Sequence, residues 1–241
     1  MRKLFITFVV FIIFAVGFLW TKQSFAVDHS VEKIIYKIAG LGIAEYNDWG
    51  LTELDGKTVR LITFRTHVFG FDDLEKIYAD PVKFLPVKVE RQIKFLFVKE
   101  HIIEEYSADA CSVVIKKYKG ERVIKEYHFK AKGAIQSAVL LPFYLRTVSA
   151  PGLGWTYYTY LPDAYKITLA SIEEIKIPAG IYKAYHFVSD PRKFEVWISQ
   201  DQARVPLKLL GGAGHNYLLT MKSRKGDEEK MKTKIKVDLY E

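Results

Sequence analysis

Six histidines, the acid pairs Asp72-Asp73, Glu104-Glu105 and Glu173-Glu174, one cysteine and one glycine run are the residues of this chain whose types suit catalysis or ligation. Metal binding or base catalysis would require His29, His67, His101, His128, His186 or His215 to converge. They are scattered singly, with none of the short spacings that zinc and metalloprotease sites use, so no metal ligand is assigned. Asp72-Asp73, Glu104-Glu105 and Glu173-Glu174 would act as acid–base dyads only with both carboxyls on one face. Neighbours on a strand point to opposite faces, so the two Glu pairs read as solvated charge. Cys111 has no second cysteine to pair with, and a small buried side chain is its expected role. Gly211-Gly212-Ala213-Gly214 resembles a phosphate loop in composition alone, because strand-like sequence lies on both sides; a hairpin loop fits better. The G-x-S-x-G elbow, H-E-x-x-H and paired cysteines are all missing, which removes the commonest hydrolase, zinc-protease and redox signatures. No catalytic residue and no cofactor is assigned.

Aromatic side chains are the positive signal. Trp155, Tyr157, Tyr158, Tyr160, Tyr182, Tyr185 and Trp197 fall in neighbouring β-like segments, where a curved sheet can turn them toward an apolar ligand or a sugar face. Trp155, Tyr158, Tyr160 and Trp197 are the candidate ligand contacts; ordinary core packing is the competing use of the same residues.

The elements that must position these residues read as strands nearly throughout. The clearest stretch is 177–210. Pro178-Ala179-Gly180 is a turn, because Pro presets φ and Gly takes a left-handed conformation, and Ile181 to Val188 and Lys193 to Ser199 run as strands around a second turn at 189–191. Phe194, Val196 and Ile198 share one face; Trp197 shares the other with Lys193, Glu195 and Ser199. Upstream, Glu32–Ile38, Ile43–Leu54 and Lys57–Val68 are predicted strands, the last two joined at Asp55-Gly56. Asp72–Tyr78 is predicted as a short helix from the spacing of Leu74, Ile77 and Tyr78. Gly133–Arg146 is predicted as a second, from Ile135, Val139, Leu140 and Phe143. Strands are also expected at 87–97, 102–106, 112–117, 122–129, 155–161, 165–177, 205–210 and 215–222, with a charged turn at 223–230 and a last strand carrying Ile235, Val237 and Leu239. The fold class expected is mainly β: a curved antiparallel sheet or barrel-like two-layer sheet of roughly ten or more strands, with two short helices.

Arg2 and Lys3 precede an apolar run from Leu4 to Trp20, and small residues stand at Ser24 and Ala26. This is the pattern of a secretory signal peptide, residues 1–26, cut after Ala26, which leaves residues 27–241 as a single exported β-rich domain. Retention of the run as an inner-membrane anchor is the alternative, and membrane contact is expected only through that leader if uncleaved. The net charge of +8 includes Arg2, Lys3 and Lys22 of the leader, and the rest is spread, so no nucleic-acid partner is expected. A single cysteine in an exported chain leaves stability to the core.

Glu174, Ile177 to Tyr182, Val196 to Ser199, Asp201 and Val205 to Lys208 together resemble the C-terminal signature of an exported bacterial family, domain of unknown function 3108. Gln136, Phe143, Tyr144, Leu145 and Arg146 match that family's upstream helix, while Ser137 replaces its usual Asp. The turn followed by a strand ending in Trp is also similar to the carriers of the envelope lipoprotein localisation system. In those carriers a curved antiparallel sheet closed by helices holds acyl chains. The resemblances imply a related fold in a periplasmic setting and bring no catalytic residues. The expectation is a periplasmic non-enzymatic protein that binds an apolar or amphipathic ligand, lipid or glycan, or an envelope protein partner, on a curved sheet. Two alternatives are an envelope-polymer hydrolase with a dispersed active site and a structural or assembly protein.

Overall fold

The first described strand lies in the middle of the sheet it begins. In the structure, a computed structural model that describes residues 31–40, 42–149, 151–161, 163–211 and 217–226, β1 (Glu32–Ile38) is paired on both sides. One neighbour is β2 (Gly42–Leu54), the next in sequence; the other is β14 (Tyr217–Gly226), the last described strand. From β2 a meander runs outward through β3 (Lys57–Val68), β4 (Phe71–Ala79), β5 (Pro86–Phe95), β6 (Val98–Ser107) and β7 (Ser112–Lys119) to β8 (Arg122–Lys130) at one edge. The chain then crosses to the other edge, β9 (Thr156–Tyr160). It returns through β10 (Ala164–Ile177), β11 (Gly180–Asp190), β12 (Phe194–Ser199) and β13 (Pro206–Gly211) to β14. All fourteen described strands belong to this one antiparallel sheet, so the protein is mainly β as its sequence predicts.

So many strands curl rather than lie open. The crossing segment shows where the concave side lies. Ala131 N donates to Cys111 O beside one edge, Gln136 N donates to Tyr160 O at the other, and Ile135 bridges Tyr160 in parallel. Past that bridge comes α1 (Leu141–Leu145), a single helical turn whose Phe143 ring stacks on Tyr46 of β2 at 3.7 Å. Under it, alternate residues of both wings form the core: Ile34, Tyr36, Ile62, Ile77 and Val89 on one side, Leu169, Phe187, Val196 and Leu209 on the other.

One ion cluster fastens the crossing segment to the central strands. Glu32 of β1 is buried and accepts bonds from both guanidinium nitrogens of Arg146, just past α1, and from Nε of Arg224 on β14 at 2.6 Å. Arg146 also donates to Ala203 O at 2.8 Å, and the Tyr36 hydroxyl donates to Pro206 O at 3.0 Å. Burial by itself would push the Glu32 carboxyl up, but the two arginines overcome it and hold the group below its ordinary value of 4.5.

Four expectations are corrected. Residues 71–79 form strand β4, not a helix, and pair along their length with β3 and β5. Asp73 and Glu75 stand on the same face as buried Ile77 and Ala79, so acids occupy positions where alternation would put apolar residues. The expected helix over 133–146 is only the turn α1: Pro142, at its start, has no N–H to donate and would clash with a preceding helical carbonyl. Residues 223–226, expected in a charged turn, continue β14, where Glu32 pairs with Gly226 and holds Arg224. Cys111 is half-buried in the β6–β7 turn with φ of 49°, not in the core. The expected leader and the last strand, with Ile235, Val237 and Leu239, lie outside the described residues.

Glu32→Ala leaves two arginines facing a buried gap. It is expected to lower unfolding free energy by about 3–5 kcal/mol in urea titrations at pH 7. Because the folded carboxyl is held below 4.5, its contribution is present above that pH and disappears as pH falls through the lower folded value. Glu32→Gln should flatten that acid limb.

Candidate functional site

Between the concave face and residues 138–143 lies a cavity of about 260 Å³. Small-molecule sites run from roughly 300 to 1,000 Å³, so this one is near the lower end. Its wall is largely apolar: Phe64 from β3, Val139 and Phe143 from the crossing segment, Leu161, Phe194 from β12, Leu209 from β13 and Leu219 from β14. Tyr165 and Tyr217 also line it, and the chain entering β12 borders it along Lys193 to Val196, with the Glu195 carboxylate turned to the other face of the strand. Register explains the convergence, since Phe194 pairs with Gly211 and Gly211 with Tyr217. Gly211 has φ of 143°, and a Cβ there would fall 2.6 Å from Lys193 O and 2.7 Å from the Cβ of Phe194. A glycine is therefore what lets β12 and β13 close beside the cavity.

The same concave face turns polar along β4 to β7. Asp73 on β4 is buried and receives Nε and Nη2 of Arg91, whose Nε is also 3.6 Å from Glu75. The Tyr106 hydroxyl donates to Glu104, and Lys117 Nζ donates to Glu100 at 2.5 Å. Glu75 is opposite Phe64 in the β3–β4 ladder, which sets this charged field next to the cavity wall. Burial pushes the Glu75 carboxyl up to about 7; Arg91 pulls it down, and Asp73 and Glu104 push further up. Burial and the charge of Glu75 likewise raise the hydroxyl of cavity residue Tyr217. The interior is therefore two-sided, apolar under α1 and acidic beyond Phe64.

A second constellation occupies the opposite face of β10 to β13. His186 places Nε2 2.8 Å from Glu195 and Nδ1 3.3 Å from the Ser171 hydroxyl, and Arg192 donates to the other Glu195 oxygen. Burial pushes Glu195 up, but its bonds with Arg192 and His186 prevail and hold it below the usual carboxylate value. Trp197 is sandwiched between the His186 ring, stacked at 4.1 Å, and Lys208 Nζ, 4.0 Å from its ring centre, while its Nε1 donates to Glu173 at 2.6 Å. Strand β12 is buried on both faces, with an apolar layer on one side and this hydrogen-bonded layer on the other.

None of the four predicted ligand contacts lines the cavity. Trp197 is inside the polar layer just described. Trp155 packs against the core, with its ring edge-on to Phe187 at 6.0 Å. Tyr158 is largely exposed, and Tyr160 is on the β9 edge, paired with Ala164 and bridged by Ile135. The structure instead brings Phe64, Val139, Phe194 and Tyr217 together, from four segments distant in sequence. Nothing in their types or local spacing marks them. The acid pairs do divide between faces as alternation requires, but their inward members are bonded rather than solvated: Asp73 to Arg91 and Glu104 to Tyr106. The residues of the family-like signature serve turns. Ser199 Oγ donates to Asp201 at 2.8 Å and accepts from Val205 N, and Asp201 accepts from the backbone of Ala203 and Arg204. Ser137 accepts a bond from Val139 N at 3.2 Å, which closes the turn ahead of α1. Among the described residues no group of His, Cys, Asp and Glu is disposed to hold a metal ion.

Fold and site define a mainly antiparallel β protein with a concave interior that is part apolar and part acidic. No family model matches the chain, and no curated protein matches it. Among solved structures, a beta-barrel-like protein of domain of unknown function DUF1849 from Brucella abortus is similar over 84% of this chain and 100% of its own, at 10% sequence identity and a TM-score of 0.47.

A carboxyl raised from 4.5 to about 7 has a definite linkage sign. The folded state keeps its proton where the unfolded state has lost it, so Glu75 lowers stability as pH rises across that window. Glu75→Gln is expected to remove a loss on the order of 1–3 kcal/mol between pH 4.5 and 7, read from urea midpoints.

Proposed function

We propose that this chain is an exported, non-enzymatic envelope protein that holds an apolar or amphipathic ligand in the cavity between its concave sheet and the α1 segment. The leader-like N-terminus and the resemblance to domain of unknown function 3108 support the periplasmic setting. The observation that carries the reading is the cavity itself: apolar walls from five elements under a short strap, with an acidic field at one side. An apolar body fits the wall of Phe64, Phe194 and Leu209, and a polar or cationic end group fits the side toward Glu75 and Asp73. Val139 is on the strap and takes no part in the sheet ladder, so Val139→Trp fills the space without breaking strand pairing. This variant is expected to weaken binding of the neutral fluorescent probe N-phenyl-naphthylamine by about tenfold, equal to about 1.4 kcal/mol, with an unchanged melting profile. Protein purified from its native envelope should also yield a bound lipid on extraction. Ligand-free protein and indifference of the probe to Val139→Trp would overturn the reading.

The line Ser171–His186–Glu195 favours a second reading, hydrolysis of an envelope polymer. A hydroxyl, an imidazole and a carboxylate within hydrogen-bonding distance are the parts of a nucleophilic site. Against it, the three are on the sheet face away from the cavity, and Glu195 is already engaged by Arg192. Ser171→Ala is expected to leave the rate of p-nitrophenyl acetate hydrolysis at the buffer background given by the unaltered protein. A rate above background that vanishes in the variant would establish the enzyme.

A further inference from the structure

The hairpin ends beside β4 break the turn chemistry used elsewhere in the sheet. Asp55-Gly56 joins β2 to β3 and Gly120-Glu121 joins β7 to β8, both with the polar and glycine residues that tight turns favour. The β3–β4 turn is instead Phe69-Gly70, and the β5–β6 turn is Leu96-Phe97. Phe69 is 98% exposed and Phe97 100% exposed, and Leu96, also largely exposed, takes φ of 51°, a left-handed conformation costly for a branched apolar residue. The two tips form one unit: Leu96 N donates to Gly70 O at 2.9 Å, the Leu96 side chain lies against Gly70, and the Phe71 and Phe95 rings meet edge-on at 6.4 Å. A water-facing turn gains nothing from two fully exposed phenylalanines beside an exposed leucine.

The charge behind the tips indicates what covers them. Lys94 and Lys99 are directly opposite each other in the β5–β6 ladder. At the adjacent hairpin end Lys119 is directly opposite Arg122 in the β7–β8 ladder. Like charges in direct register repel, and two such pairs at one end of the sheet make a cationic layer that an anionic surface would neutralise. The acids near by are largely engaged, with Asp72 held by Arg65 at 2.7 and 2.9 Å and Glu100 by Lys117; Glu121 is on the turn itself.

We infer that the paired β3–β4 and β5–β6 tips insert Phe69, Leu96 and Phe97 into a lipid bilayer while Lys94, Lys99, Lys119 and Arg122 contact its anionic headgroups. Aromatic and aliphatic tips with lysines one step behind them match the depth order of an interface: acyl boundary, then phosphate. This membrane contact is additional to any through the leader, and it does not depend on what the cavity holds. Every described strand lies within 32–226, so a chain beginning at Val27 keeps all of them and removes the leader from the assay.

The test is flotation of that shortened chain with vesicles of phosphatidylethanolamine and phosphatidylglycerol at 7:3, and with phosphatidylcholine alone. Binding to the anionic vesicles, weakened at high salt and at least about tenfold weaker for Phe69→Ser with Phe97→Ser, is the expected result. The substituted side chains touch solvent, so the melting profile and the naphthylamine response should be unchanged, which separates failure at the tips from failure of the cavity reading. Lys94→Gln with Lys99→Gln supplies an independent arm: it relieves a like-charge pair and should still weaken anionic binding. Absence of flotation in the unaltered chain, or equal flotation of the tip variants, overturns the proposal. So does capture of an envelope protein by the tips without any vesicle binding.

Discussion

The ion cluster around Glu32 is the constraint on which the rest of the architecture depends. A meander that begins in the middle of its own sheet grows two independent wings, and strand pairing alone does not fix how they wrap. Glu32 joins three parts of the chain that are remote in sequence: the first strand, the last described strand through Arg224, and the segment that crosses between the wings through Arg146. Arg146 spends a further bond on Ala203, so the β12–β13 connection is drawn into the same knot. With the strap pinned there, Phe143 reaches Tyr46 and the space beneath residues 138–143 is defined. A buried charge with two partners is a costly way to gain stability, but it specifies one docking position for the strap, which apolar contacts alone would leave degenerate.

The wrap is closed by that strap rather than by strand pairing. Edges β8 and β9 are not neighbours in the sheet; they are joined through residues 131–136, by single bonds from Ala131 to Cys111 and from Gln136 to Tyr160. A fully hydrogen-bonded barrel resists any widening, because each added ångström stretches a whole ladder. Here widening strains a few bonds at the seam and leaves the ladders intact. Among the described elements, α1 is the one whose displacement does not require breaking a strand pair, and the cavity lies under it.

Much of this was legible in the sequence, and the illegible parts share a cause. Strands with one polar and one apolar face, such as β1 and β12, announce themselves by alternation, and turn residues such as Asp55-Gly56 fix the hairpins between them. β4 was hidden because its concave positions carry Asp73 and Glu75, acids made tolerable by Arg91 on the neighbouring strand; a local pattern contains no record of a partner eighteen residues away. The surroundings of Trp197, which the sequence sets on a face with Lys193, Glu195 and Ser199, are hidden for the same reason. Its face is a second buried layer, held by His186, Glu173 and Lys208 from three other strands, and only the register reveals that they meet. The cavity was the least legible feature. Phe64, Val139, Phe194 and Leu209 are ordinary core residues by type, and what distinguishes them is an absence of filling between elements, which composition does not encode. The aromatics Tyr158 and Tyr160 of β9, conspicuous by type, stand on an edge strand of the sheet.

Charge on this protein is divided by location, and the division gives one end of its sheet and its interior different chemistry. Inside, acids predominate over bases along β4 to β6, and burial, reinforced by Asp73 and Glu104, raises the Glu75 carboxyl to about 7. At the hairpin ends bases predominate, in directly opposed pairs that a folded sheet would ordinarily avoid. The cavity residues Phe194 and Tyr217 fall at the same ends of the strands as those basic hairpins. The register runs from Phe194 to Gly211 to Tyr217, and beside them from Leu219 to Ile38, Gly42 and Val68, the last residue before the Phe69-Gly70 tip. A surface that attracts anions at the rim and an interior that favours neutral or cationic groups would orient an amphipathic guest, apolar part inward, along one axis. Both preferences follow from where two kinds of strand position, concave and terminal, place their charges.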